Sequence, residues 1–271
     1  MKYLSIESSE LKSRLKNRLL FLFLDYDGTL TPIAETPKKA IIPAKAKKLL
    51  KEFSQNPKCE LAVISGRALK DLKKLVGLKN IIYVGNHGFE IEGTNFKFKY
   101  PAPYGYKQTL KQIRREFHRK FSKIEGIVIE DKGYSLSLHY RLVDPTLVSN
   151  VQSCFNQVVR SYLQRRQIVV CRGKALLEVR PPFDWNKGNA VLWLLEQIRF
   201  AKRNVKISPV YIGDDLTDED AFEILKTKGL TIYVGKPKKS YAKFYLRNTD
   251  EVHHFLRKAL EIVKNYPHIL V

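Results

Sequence analysis

Apolar positions in the first hundred residues come in short unbroken runs separated by amphipathic stretches. Leu19–Leu24 is apolar throughout, and "ELAVISG" (Glu60–Gly66) and "NIIYVGNHG" (Asn80–Gly88) carry two further runs. Unbroken runs of this length predict strands buried on both faces. Between them, Pro43–Phe53 and Ala68–Leu78 place apolar residues at helical spacing among lysines. The same alternation returns near the C-terminus. There the pattern predicts a helix over Asn186–Ile198, a strand over Ser208–Asp215, a helix over Thr217–Gly229 and a strand over Leu230–Gly235. Strands alternating with helices imply a parallel sheet covered by helices on both sides.

The middle of the chain follows another order. It reads as a helix near Gln108–Phe121, strands Ile127–Glu130 and Ser135–Tyr140, a helix Thr146–Leu163, and strands Gln167–Cys171 and Ala175–Arg180. Proline-bearing stretches, Pro101–Gly105 and Arg180–Asp184, bracket it as hinges. The expected organisation is therefore α/β: a Rossmann-like parallel-sheet hydrolase core from residues 1–103 and 182–271, with a smaller α+β cap domain, residues 104–181, inserted into it.

Composition changes this picture only in one respect. With 271 residues and 44% hydrophobic content the chain can bury a full core, which excludes a disordered protein. The formal net charge is +22, which favours anionic partners such as phosphorylated metabolites, nucleic acid or anionic lipid. Fifteen Lys/Arg against six Asp/Glu fall between Tyr104 and Pro181, a net of +9 in 78 residues, so the excess leans toward the insert. A solvated face would look the same. No concentrated basic stripe with aromatic platforms marks a specific nucleic-acid site. The apolar run Leu19–Leu24 is too short for a membrane span or a signal-peptide core. Three widely spaced cysteines, Cys59, Cys154 and Cys171, form no zinc pattern and no disulfide framework. A cytoplasmic protein, acting as a monomer without membrane or specific nucleic-acid partners, is the expectation.

Candidate chemistry gathers where the strands end. Asp25 and Asp27 follow the first run, Ser65 and Gly66 the second, Asn86 and His87 the third, and Asp214 and Asp215 a later one. In an open α/β sheet these carboxyl ends form the ligand crevice. Two carboxylates one residue apart, beyond a buried strand, repel each other unless a cation lies between them. Asp214 or Asp215 would complete a three-carboxylate cluster, a donor set suited to Mg²⁺. One carboxylate could then attack phosphorus while a second moves protons, with Lys187 and the Ser65 hydroxyl holding phosphoryl oxygens. Asp218, Glu219 and Asp220 suit the first turn of a helix as well as they suit a metal.

Taken together, "DYDGTLTPI", "VISGR", "VGNHGFE", "EVRP", "KG" and "GDDLTDEDAF" resemble the haloacid dehalogenase superfamily and, within it, the trehalose-6-phosphate phosphatases. "EDKGYSLSLHYR" and "EVHHFL" extend the resemblance through the insert and the tail. The resemblance implies Asp25 as nucleophile and Asp27 as general acid/base. It implies Mg²⁺ held by Asp25, the Asp27 carbonyl and Asp214, supported by Asp215 or Asp218. Ser65, Gly66 and Lys187 would bind the phosphoryl group. Arg67, Glu130, Lys132, Arg141, Lys174 and Glu178 would read the sugar of a small-molecule sugar phosphate. Closure of the cap would exclude water. Rival readings are a phosphatase of another sugar phosphate and, more distantly, a nucleic-acid-binding protein.

Overall fold

The computed structural model describes residues 1–5, 9–36, 39–203 and 205–265. Its elements begin with β1 (Lys2–Tyr3), α1 (Ser9–Leu15), β2 (Leu19–Asp25), α2 (Ala44–Ser54), β3 (Cys59–Ile64), α3 (Leu69–Val76), β4 (Ile82–Gly85), β5 (Glu90–Glu92) and β6 (Lys97–Lys99). There follow α4 (Tyr106–Phe121), β7 (Val128–Asp131), β8 (Leu136–His139), α5 (Val148–Gln164), β9 (Val169–Gly173) and β10 (Leu176–Arg180). The chain continues with α6 (Lys187–Ala201), β11 (Ile207–Gly213), α7 (Glu219–Leu225), β12 (Leu230–Val234), β13 (Phe244–Leu246) and α8 (Thr249–Asn265). Two compact units result, one from Met1–Lys99 with Trp185–Val271 and one from Tyr100–Asp184.

The larger unit is built on a nine-stranded sheet in the order β1-β13-β12-β11-β2-β3-β4-β5-β6. Strand β2 lies between β11 and β3, parallel to both. Its central place explains its unbroken apolar sequence, because successive side chains face opposite cores. Leu20, Leu22 and Leu24 join the core that contains Leu50 and Phe53 of α2 and Phe255 of α8. Phe21 and Phe23 join the other, with Val191 and Leu194 of α6 and Phe222 of α7. All seven β2 residues are buried, Asp25 included. Parallel register then brings the ends of β2, β3, β4 and β11 to one edge.

In the smaller unit the strands form an antiparallel sheet, β7-β8-β10-β9. Leu136 and Leu138 of β8 enter a core with Ile113 and Phe117 of α4 and Phe155 of α5. Residues 135, 137 and 139 therefore project from the opposite face of the sheet.

Several boundaries differ from the pattern-based expectation. The strand predicted to run through Gly88 stops at Gly85, and Asn86–Gly88 forms a single 3₁₀ turn. The predicted helix from Thr217 begins as a 3₁₀ turn over Leu216–Asp218 and becomes α-helical only at Glu219. Helix α8 buries Val252, Phe255, Leu256, Ala259, Leu260 and Val263 at helical spacing, whereas the hairpin β5–β6, the edge strand β1, its neighbour β13 and helix α1 carry no strong period in the sequence. They form because the sheet edges and the outer face of the core need covering. The smaller unit extends a few residues beyond the expected 104–181 at both ends.

Burial pushes the Cys59 thiol up to about 12, whereas Cys154 is only partly buried. At pH 8 such a thiol is ionised to roughly one part in 10⁴, and the thiolate is the reactive form. A thiol reagent at that pH is expected to label Cys154 in the native protein and to leave Cys59 untouched until denaturant is added. Peptide mapping of the labelled chain checks this.

Candidate active site

The site begins with Asp25, which ends β2 and is only 5% exposed. Asp214 follows β11, and Asp218 lies one turn later and is fully buried. Carboxylate oxygens of the three approach within 4.8 Å of one another. Into this cluster reaches Lys187, the first residue of α6 and itself buried. Asn186 sets its position by capping the helix, its side chain accepting the Asn189 N–H at 3.0 Å. The Lys187 ammonium donates to Asp25 Oδ1 and to Asp218 Oδ1, each at 2.7 Å.

Asp218 is the more fully committed carboxylate. Its Oδ1 also accepts the Tyr211 hydroxyl at 2.7 Å, and its Oδ2 accepts the backbone N–H groups of Asp214 and Asp215 at 3.0 and 2.9 Å. Four donors leave it little capacity for an ion, so it orients Lys187 and the chain at Asp214. Asp25 binds Lys187 through Oδ1 alone, which leaves Oδ2 for chemistry. Burial drives the Asp25 carboxyl well above its ordinary range; Lys187 opposes that rise, while Asp218 and Asp214 add to it. Burial works to lower the Lys187 pKa, but Asp218 and Asp25 outweigh it and hold the amine firmly protonated. Three buried carboxylates around one lysine leave uncompensated negative charge, and a divalent cation at Asp25 and Asp214 would neutralise it.

Gly28 brings these elements together. Its φ of +84° suits glycine, and a β-carbon there would collide with the Asp214 carboxylate. The Asp25–Thr31 segment closes tightly above it, with Gly28 N–H donating to the Thr31 carbonyl at 2.7 Å.

The remaining expected residues fall into separate groups. Ser65 is buried beyond β3, and its hydroxyl accepts the Arg67 N–H at 3.1 Å. The Arg67 guanidinium clasps both Asp27 oxygens, at 2.7 and 2.6 Å, and lies 5.4 Å from the Tyr26 ring centre. Arg67, expected to read substrate, thus engages the expected acid/base. The Asp27 carboxylate points to Arg67 and stands outside the acidic cluster. Of the two residues the resemblance offers as support for the metal site, Asp215 caps the 3₁₀ turn reciprocally with Asp218, and Asp218 is the one that stands in the acidic cluster. Asp215 follows Asp214 directly, so in the extended segment before the turn the two side chains diverge.

Within the smaller unit, Glu178 is 1% exposed and saturated with donors. Its Oε1 accepts Lys132, Ser135 and Ser137 at 2.9, 2.8 and 3.1 Å, and its Oε2 accepts Arg180 Nε at 2.6 Å. Glu130 meets His139 at 2.8 Å. Arg141 and Lys174 are exposed and linked by an Arg141 hydrogen bond to the Lys174 carbonyl at 3.3 Å. Ser135, Ser137, His139 and Arg180 were not anticipated. The period of two was the available signal, since all lie in step with Glu178 or Glu130 on the face opposite the leucines.

The fold is that of haloacid dehalogenase-like proteins. A B. subtilis haloacid dehalogenase-like hydrolase shares the fold, with a TM-score of 0.55 at 13% identity over 88% of this chain and 98% of that one. A family model described as trehalose-phosphatase matches residues 23–250. Probable trehalose-phosphate phosphatase 3 of Oryza sativa subsp. japonica is 32% identical over 268 residues, 92% of this chain and 72% of that protein. The C-terminal domain of C. albicans trehalose-6-phosphate phosphatase superposes with a TM-score of 0.81 at 29% identity, covering 97% of this chain and 99% of that one. The chain belongs to the trehalose-phosphatase family. It is accordingly a phosphoric monoester hydrolase. Among the described residues no helix is long and apolar enough to cross a membrane.

Removing Lys187 would strand two buried carboxylates. Lys187→Ala is expected to destabilise the protein by about 3–5 kcal/mol in urea denaturation. Asp218→Asn should lower kcat on the order of 10²-fold, because Lys187 loses its orienting partner. Asp215→Asn should cost only a few-fold, and steady-state phosphate release separates the two.

Proposed function

We propose that the protein hydrolyses trehalose 6-phosphate to trehalose and phosphate, the last step of trehalose biosynthesis, through an aspartyl-phosphate on Asp25. The observation that carries this reading is the buried Lys187 ammonium held against Asp25, beside Asp214, at the carboxyl edge of the sheet. Asp25 Oδ2 attacks phosphorus, and the bond from phosphorus to the sugar oxygen breaks. Asp27 gives its proton to that leaving oxygen. It then takes a proton from water as the water attacks phosphorus, the Asp25–phosphorus bond breaks, and phosphate departs. Ser65, the Gly66 backbone and Lys187 hold the phosphoryl oxygens throughout.

Asp27 accepts from Arg67 through both oxygens. A phosphoryl dianion is a competing partner for that guanidinium. Mg²⁺ fits the charge left over by the acidic cluster. Asp25, the Asp27 carbonyl and Asp214 would hold it, and when bound it neutralises Asp25 and the phosphoryl oxygens.

The smaller unit supplies sugar recognition. Glu130 and Lys132 would bind hydroxyls directly, and Glu178 would fix Lys132 and Arg180 in place, with Arg141 and Lys174 at an exposed margin. The buried, fully bonded state of Glu178 supports the positioning role. We place the enzyme in the cytoplasm as a monomer, where the free thiols of Cys59 and Cys154 suit a reducing compartment.

Phosphate release from a panel of sugar phosphates and p-nitrophenyl phosphate, with Mg²⁺ and with EDTA, tests the reading beside Asp25→Asn. Release from trehalose 6-phosphate that EDTA and Asp25→Asn both abolish is the expected result. Preference for a different sugar phosphate would keep the mechanism and discard the substrate. Lys132→Met should raise KM for the sugar phosphate roughly tenfold or more while leaving p-nitrophenyl phosphate hydrolysis unchanged.

A further inference from the structure

Asn86, His87 and Gly88 form a run of left-handed residues, with φ of 49°, 57° and 109°. Side chains larger than glycine adopt this conformation rarely, and it persists only where the surroundings enforce it. Here two contacts enforce it from the phosphate-loop side. The Asn86 N–H donates to the Arg67 carbonyl at 2.7 Å, and the His87 N–H to the Ser65 carbonyl at 3.0 Å. The His87 ring occupies the space where a β-carbon on residue 66 would stand. Asn86 Nδ2 donates to Glu90 at 2.7 Å and ties the turn to β5.

The other side of the same turn meets the start of α6. Trp185 Nε1 donates to the Gly88 carbonyl at 2.8 Å. A β-carbon on Gly88 would sit 2.9 Å from both the Asn186 carbonyl and the Ala190 side chain. Glycine is required there for close approach as well as for its φ. The turn therefore touches Ser65, Gly66 and Arg67 on one flank and the two residues before Lys187 on the other. All of them belong to the larger unit.

We infer that the Asn86–Gly88 turn is a bracket that sets the spacing between the two phosphoryl-binding groups, Ser65 and Lys187. The inference rests on the phosphatase reading of those residues. His87 and Trp185 are positioning residues within it. The ring holds the phosphate loop from above, and the indole hydrogen bond holds the helix that carries Lys187. Misplacing either flank by a fraction of an ångström would weaken binding of a tetrahedral or pentacovalent phosphorus without disturbing either core.

The test uses the full chain. His87→Asn removes the ring while keeping a residue that tolerates the left-handed region, and Trp185→Phe removes the hydrogen bond but keeps an aromatic ring. Orthovanadate inhibition, KM, kcat and Tm are measured for each, for the double variant, and for Leu50→Ala, a fully buried α2 residue of the apolar core. His87→Asn is expected to weaken vanadate on the order of tenfold or more, and Trp185→Phe to lower kcat more than it raises KM. The double variant should depart from additivity, since both act on one spacing. Leu50→Ala should lose Tm with its vanadate constant unchanged. An active wild type whose His87→Asn and Trp185→Phe variants keep vanadate affinity and kcat, or lose them only in step with Tm as Leu50→Ala does, overturns the bracket. A wild type without Asp25-dependent phosphate release overturns the phosphatase reading, and the bracket with it.

Discussion

The structure turns on one buried ammonium. Lys187 sits between Asp25 and Asp218, with nearly no access to water, and each element that meets there is constrained by it. Strand β2 must end where Asp25 can reach the amine, α6 must begin there, and the loop after β11 must fold back far enough to present Asp218. Removing one partner of such a group leaves an unpaired charge in a poorly solvated place, which costs more than the pair contributes when intact. The same arrangement leaves a carboxylate excess. A site of that sign repels further negative charge unless a cation and the ammonium offset it.

Precision around the amine comes from backbone rather than from bulk. Gly28 lets the loop after β2 pass against Asp214, and Asp218 gathers two backbone N–H groups, a phenol and an ammonium. Tyr211 is part of this network, and burial, followed by the neighbouring Asp218, pushes its hydroxyl well above the ordinary range, so it remains a donor. A satisfied polar network in a dry place is rigid, and rigidity is what a phosphoryl site needs.

The smaller unit applies the same rule to a sheet face. Its leucines turn toward α4 and α5, and the alternate positions carry Glu178, Lys132, Ser135, Ser137 and Arg180 as one bonded set. The positive charge of α4 takes no part in this. Lys111, Arg115 and Arg119 are exposed, and Arg114 pairs with Asp131, while Ile113 and Phe117 fill the core. Most of the chain's positive excess in this unit is therefore a solvated helix face.

Much of the fold was legible in the sequence because buried parallel strands need unbroken apolar runs, and Leu19–Leu24 has no other reading once helices flank it. Asp25, Ser65, Lys187 and Asp214 were legible for a related reason: strand ends and helix starts are where a sheet can present polar groups. The trimming was not. Whether Asp215 or Asp218 enters the cluster depends on a single 3₁₀ turn that shifts the angular phase of the residues after Gly213, and no period in the sequence encodes that shift. Nor could Glu178 be known to be buried, since its burial requires donors from β8, β10 and the Lys132 turn to converge. The sequence by itself determined which residues could carry charge at the edge of a buried sheet. Only the tertiary structure decided which of those charges face one another, because pairing depends on distances between segments far apart in the chain, and local periodicity carries no information about those distances.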